Sequence, residues 1–313
     1  MEQNRRDILK AAAAGLGTLG GAWAPIASHA RAAENEAVPA NLADLVGLPA
    51  NWQAIRKLDV HNHVFMGSLQ GELDWDSVDR LVAAAEFLGI DRMYCSRPIT
   101  GGALADIAQV RQANDAVLAA MRRYPQQIIG FCFVQPDNGA AALKEIDRCL
   151  EAGMAGIKLY NQYKYSNPLV FPIAEHCIER RIPFLGHSGH VTDARTQAAQ
   201  PNISDSLDFC QLSFRYPELK LILGHINGGG DWEWSIKGLR NCPHVYVDTS
   251  GGILENDTIE MCVRELGHKR LLFATDLTME GGVGKILSAD LTAEQREDIF
   301  WRNFQRILDQ RST

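Results

Sequence analysis

Eight short apolar runs recur along the chain, each followed by a stretch of helical periodicity, and few folds accept that rhythm. The runs are AIRKLDVHNH (54–63), RMYCSRP (92–98), IIGFCFV (128–134), AGIKLY (155–160), IPFLGHSG (182–189), LKLILGHI (219–226), HVYVDTSG (244–251) and RLLFATDL (270–277). Near-continuous apolar runs of this length suit parallel strands covered on both faces. Between them lie helix-period stretches such as WDSVDRLVAAAEFLG, QVRQANDAVLAAMRRYP and AAALKEIDRCLEAG, and the chain closes on TAEQREDIFWRNFQRILD. Two helices end alike, in RRYPQQIIGF and FRYPELKLIL, where proline lacks an N–H and its ring blocks the preceding turn. Strands alternating with helices predict an α/β fold, a single-domain (β/α)8 TIM barrel over residues 55–313, and a length of 313 residues suits one such domain.

In a barrel of this kind the C-terminal ends of the strands line one shared cavity, so the residues standing there carry the chemistry. The first run ends in His61 and His63, two residues apart and therefore on one face of a regular strand, with Asp59 beside them and Leu58 and Val60 on the other. The fourth run sends Ile157 and Leu159 toward the helices and Lys158 inward. The fifth ends in His187, the sixth in His225 and the eighth in Asp276. Each has an ordinary structural reading when taken singly. Together, several unpaired polar groups in one barrel mouth would cost several kcal/mol without return. Three histidines and a carboxylate suit a divalent metal, with zinc the first choice and manganese the second.

This order, His-x-His on strand one, Lys on four, His on five, His on six and Asp on eight, resembles the amidohydrolase superfamily. The wording LILGHINGG, VYVDTSG and RNFQRIL is similar to the amidohydrolase-related branch that holds decarboxylases, lactonases and hydratases. The resemblance implies that His61, His63, His187 and Asp276 bind one catalytic metal. It also implies that His225 polarises or protonates the substrate, and that Lys158 stands where binuclear members carry a carboxylated bridging lysine. The loop after strand eight, ATDLTMEGG, departs from the decarboxylase pattern, so the substrate does not transfer.

The leading expectation is hydrolysis of an ester, lactone or amide bond in a small molecule through a metal-activated water, with Asp276 moving the proton and His225 stabilising the oxyanion. The alternative is metal-dependent decarboxylation or hydration of a small aromatic or dicarboxylic acid. Arg97 and Arg195 are candidate carboxylate clamps, because guanidinium binds carboxylate bidentately. Tyr160, Trp232 and Trp234 are candidates to line the mouth against a flat substrate.

The first 32 residues belong to another purpose. NRRDILK followed by AAAAGLGTLGGAWAPIA and SHARA resembles a twin-arginine export signal cleaved after Ala32, which predicts a periplasmic or otherwise exported protein handled by the twin-arginine machinery. Residues 33–54 form a lead-in. GLGTLG in the leader matches a dinucleotide fingerprint in letters only, since no strand precedes it, and GGVGK (281–285) lacks the flanking residues of a phosphate loop. The formal net charge is −7, and removing the leader takes away four basic and two acidic residues, leaving about −9. Such a balance disfavours nucleic acid as a partner, and nothing beyond the leader predicts stable membrane anchoring. Self-association is left open. Seven scattered cysteines, without a C-x-x-C pair, predict buried thiols and no disulfide framework.

Overall fold

A computed structural model describes residues 51–310 apart from 66–71, 101–102, 227 and 229. The predicted export signal (1–32) and nearly all of the lead-in (33–54) lie outside the described residues. Each expected run contains one strand: β1 Leu58–His63, β2 Arg92–Ser96, β3 Ile128–Phe133, β4 Gly156–Leu159, β5 Phe184–Gly186, β6 Leu221–Leu223, β7 Val245–Asp248 and β8 Leu271–Leu272. They pair in parallel and in sequence order. The ring is drawn shut by two main-chain bonds, Val60 N–H to Phe273 O (3.0 Å) and Asp276 N–H to His61 O (2.9 Å). The single-domain (β/α)8 barrel is therefore the observed fold.

The helices are α1 Trp75–Phe87, α2 Ile107–Arg123, α3 Ala140–Glu151, α4 Phe171–Arg180, α5 Ala194–Ala199, α6 Ser206–Arg215, α7 Trp232–Gly238, α8 Thr258–Leu266, α9 Met279–Ser288, α10 Ala293–Glu297 and α11 Asn303–Asp309. Aspartates start several of them. Asp74 accepts from Ser77 N–H at α1, and Asp106 and Asp205 form capping boxes with Gln109 and Asp208 at α2 and α6. Tyr124 and Tyr216 close α2 and α6 just before their prolines, as the Arg-Tyr-Pro pattern predicts. GGVGK lies inside α9, which settles it as helix and not as a phosphate loop. No helix among the described residues is long and apolar enough to cross a membrane.

Leu58 and Val60 from β1, Tyr94 from β2, Phe131 from β3, Leu185 from β5, Ile222 from β6 and Leu272 from β8 form one buried cluster. A cluster drawing on six strands can only lie inside the barrel. Phe304 and Ile307 of α11 cover its lower end, Phe304 meeting the ring of Tyr94 edge-on at 4.7 Å. Burying side chains of this size contributes roughly 1.5–3 kcal/mol each, so the lower half is an apolar plug on which the polar upper half rests.

Two expectations need correction. Regular alternation along the first strand fails, because Leu58 and Val60 share the interior with His61. The β1–β2 register shifts between Asp59 and Asn62, placing an extra residue on β1. This bulge resets the alternation and lets the side chains of Asp59 and Asn62 meet at 2.7 Å. Second, although five cysteines are free and buried, Cys210 of α6 and Cys242 before β7 form a disulfide. Scattered spacing gave no sign of that pair because the two are brought together by the packing of successive βα units.

Candidate metal centre

Asp248, at the end of β7, organises the centre. Its Oδ2 accepts from His61 Nδ1 at 2.7 Å, while Oδ1 accepts from Ser250 Oγ (2.6 Å), His225 N–H (2.9 Å) and Ser250 N–H (3.0 Å). Burial alone would raise its pKa, but His61 and His225, with the Ser250 hydroxyl, hold the carboxyl well below the usual range. An ionised carboxylate only accepts, so His61 carries its proton on Nδ1 and turns the Nε2 lone pair toward the barrel axis. Gly224 makes room for this pairing. A Cβ there would lie 2.7 Å from Gly186 O and 3.3 Å from both Asp248 Oδ2 and His61 Cε1.

Asp276 is the second focus. Its Oδ1 lies 3.0 Å from His63 Nε2 and 3.8 Å from His61 Nε2, and its Oδ2 lies 3.3 Å from His225 Nδ1. His225 and Asp276 both occupy the left-handed region, with φ of 67° and 46°, and Leu277 follows at 71°. For side chains larger than glycine this is strained backbone, and here it clusters where two strands deliver a functional group. Burial opposes ionisation of Asp276, yet His61, His225 and His63 hold its carboxyl well below the ordinary range.

The imidazoles are pushed the other way. Burial lowers His61, helped by Lys158, against the pull of Asp248 and Asp276. His225 falls to about 3 through burial and its neighbours His61 and Lys158, opposed by Asp276 and Asp248, and His187 falls well below its usual value for the same first reason. At neutral pH these three are uncharged bases, the state a metal requires.

Ligand atoms of His61, His225 and Asp276 all lie within 4.8 Å of one another. His63 Nδ1 lies 3.2 Å from both the carbonyl oxygen and the hydroxyl of Ser96. Its Nε2 points at Asp276 Oδ1, 3.0 Å away, on the same side as the other donor atoms. Lys158, fully buried, places Nζ 2.6 Å from His61 Nε2, so a positive group already sits within the donor set. Burial lowers this lysine to about 8 despite the two aspartates. The residues present fit a divalent cation.

His187 stands one ring away, its Nδ1 2.9 Å from His225 Nε2 and its Nε2 3.4 Å from Gln200 Oε1. Tyr160 stacks on it at 4.0 Å. Above lies a cavity of about 320 Å³ whose walls include His63, Phe65, Arg97, Tyr160, His225 and Asp276. Arg97 is buried, and burial lowers its pKa, whereas burial, then Asp276, raises Tyr160 to about 12. Arg195 does not join them: it is exposed on the first turn of α5 and lines no part of this cavity. Trp232 and Trp234 also lie elsewhere, Trp232 bonded to Glu255 (3.0 Å) and Trp234 stacked on His190 (3.8 Å), beside another cavity.

Sequence reasoning missed Asp248, Ser250 and Gln200. Asp248 was legible in kind, since it ends the apolar run VYVD much as Asp276 ends LLFATD. Gln200 had no such mark, lying past α5 at the end of a short exposed helix.

Residues 58–310 match the model of the family described as Amidohydrolase. Among curated proteins, the chain is 23% identical over 287 residues to a gamma-resorcylate decarboxylase of Polaromonas sp., covering 74% of this chain and 87% of that protein. Among solved structures, a 2,6-dihydroxybenzoate decarboxylase from Rhizobium superposes with a TM-score of 0.65 at 19% identity, over 81% of this chain and 98% of that one. A dihydroxybenzoic acid decarboxylase from Polaromonas sp. JS666, with bound manganese and the inhibitor 2-nitroresorcinol, gives 0.62 at 20% identity, over 81% and 96%.

Proposed function

From the premise that this chain belongs to the amidohydrolase family, we propose that it is a metal-dependent, non-oxidative decarboxylase of a small carboxylated phenol. The observation that carries this reading is the convergence of His61, His225 and Asp276 beneath a cavity that also presents Arg97 and Tyr160. The gamma-resorcylate and dihydroxybenzoate decarboxylases among its relatives support the same direction and set it above ester, lactone or amide hydrolysis, the leading expectation from sequence.

In this reading His61, His63, His187 and Asp276 hold a single divalent ion, manganese or zinc. When bound, the ion would supply Lewis acidity and positive charge that hold an anionic, oxygen-bearing substrate in the site. Arg97 takes the carboxylate bidentately, and Tyr160, backed by His187, offers a flat face to the ring. Decarboxylation exchanges one proton for CO2 at one carbon. The ring carbon bearing the carboxylate accepts a proton from Asp276, becomes tetrahedral, and recovers its aromatic bonding when the C–C electron pair returns to the ring as CO2 departs. The proton consumed in each turnover comes from solvent, and His225, 3.3 Å from the Asp276 carboxylate, lies on the path by which it reaches Asp276. Lys158 keeps positive charge beneath the donor set.

We also propose that the protein is exported through the twin-arginine route and resides in the periplasm. The arginine pair of the leader supports this, and the Cys210–Cys242 disulfide suits an oxidising compartment.

The test is to load the purified protein with manganese or zinc and supply 2,6-dihydroxybenzoate and related hydroxybenzoates beside a panel of lactones and esters. Release of CO2 with one deuterium placed on the vacated carbon in D2O is the expected result. Lactone or ester hydrolysis without CO2 release from any hydroxybenzoate would overturn the proposal.

A further inference from the structure

The wall of the site cavity is also the wall of a second cavity. His63, Val64 and Phe65 line both the first space, of about 320 Å³, and a neighbour of about 260 Å³ between α1 and the segment that leads from β8 into α9. The floor of the neighbour is apolar, with Val78 and Leu81 of α1 facing Met279, all three buried, and Ala84 and Leu277 half-buried beside them. Its polar residues stand toward solvent, where the exposed Arg80 bonds to Ser77 at 3.0 Å and Glu280 is exposed.

Phe65 is the movable part of the partition. Its main chain is pinned, because its carbonyl accepts from Asp74 N–H at 3.0 Å, and Asp74 is the residue that caps α1. Val64 just before it is buried and donates to Ser96 O at 3.2 Å. The Phe65 ring itself is 50% exposed. With the backbone held and the side chain half exposed, Phe65 is free to change rotamer on the picosecond to nanosecond scale of exposed side chains.

We propose that the second cavity is a subsite for an apolar substituent of the substrate, and that Phe65 determines whether the site accepts a bare phenolic acid or one carrying an alkyl or aryl tail. A single hydroxylated ring is satisfied by the first cavity alone. An apolar floor behind an exposed aromatic ring is a poor place for water and a good one for hydrocarbon, and the wall that it shares with the site makes a tail of the same molecule its occupant. Ala84, on the helical wall away from the donor set, sets the depth of the subsite.

This inference rests on the proposed decarboxylase reading, and binding of product phenols separates the two. The manganese-loaded full chain is titrated with resorcinol, 4-pentylresorcinol and 5-pentylresorcinol, with affinity measured by calorimetry. At least one pentyl isomer is expected to bind ten times or more tighter than resorcinol. Ala84→Phe, which fills the subsite, is expected to erase that gain while leaving the Kd for resorcinol unchanged, and Ala84→Leu to reduce it partway should the larger residue prevent folding. Equal affinity of tailed and untailed phenols, or full retention of the gain in a folded Ala84 variant, overturns the subsite while leaving the decarboxylase reading in place. Failure of every phenol to bind removes both.

Discussion

Replacing Asp248 by Asn changes one atom in the centre and should reverse the polarity of His61. In the parent, three donors converge on Oδ1 of Asp248, from Ser250 Oγ, Ser250 N–H and His225 N–H, and one, His61 Nδ1, on Oδ2. An asparagine amide keeps the larger number of bonds by leaving its oxygen toward the three donors. The opposite orientation would set an NH2 group against all of them, at about 1 kcal/mol for each lost bond and more for the desolvation left behind. The amide nitrogen therefore faces His61 Nδ1, which becomes the acceptor, and the imidazole proton moves to Nε2. That removes the lone pair directed at Lys158 and Asp276. Loss of such an orienting partner typically weakens metal binding by about 10- to 100-fold, or roughly 1.4–2.7 kcal/mol. The assay is titration of metal-free protein with Mn2+, following the paramagnetic resonance of the free ion, for parent and variant. Near-ultraviolet circular dichroism confirms that both are folded. An unchanged affinity in a folded D248N protein would refute the reasoning, because it would mean either that His61 is not a ligand or that Asp248 does not set its tautomer.

Three further outcomes are expected. Asp59 accepts four hydrogen bonds inside the barrel, yet burial raises its pKa from 3.8 to about 7. Between those values the folded protein binds more protons than the unfolded one, so stability falls as pH rises through that window, at most about 1.4 kcal/mol per pH unit, and levels above about 7. Denaturant midpoints measured from pH 4 to 8 should show this slope in the parent and its loss in Asp59→Asn, and an equal slope in both would exclude Asp59 as its source. Gly224→Ala forces a methyl against Gly186 O at 2.7 Å and should cost about 1–3 kcal/mol, seen as a lower Tm. A variant melting with the parent would show that the close approach is slack. Chelation should lower Tm and restored manganese raise it, by about 2.7 kcal/mol of stability at a metal concentration a hundred times Kd, and a Tm indifferent to metal would contradict a resident ion.

The barrel was legible because its periodicity is repeated eight times, so that uncertainty in any one run hardly matters. The strand ends were legible for the same reason: His61, Lys158, His187, His225 and Asp276 each stand at the end of an apolar run, although alternation assigned the wrong side to His61 relative to Leu58 and Val60. What escaped was set by geometry between elements. The bulge in β1 leaves no mark in LDVHNH, because either parity places an imidazole somewhere plausible. Arg195 was drawn to the site by its charge and its place after strand five, but the helix that carries it turns it to solvent. The pairing of Cys210 with Cys242 depends on the spacing of adjacent βα units, which no local pattern encodes.

The main-chain bond from Asp276 N–H to His61 O joins the first strand of the barrel to the segment that ends its last, across more than two hundred residues. Ions held by both side chains would meet nothing they could grip on a ribosome-bound fragment, because one half of the donor set is made near the start of synthesis and the other near its end. On the proposed ligand set, a product truncated before Asp276 would lack one of the groups that hold the metal, however well its early units pack.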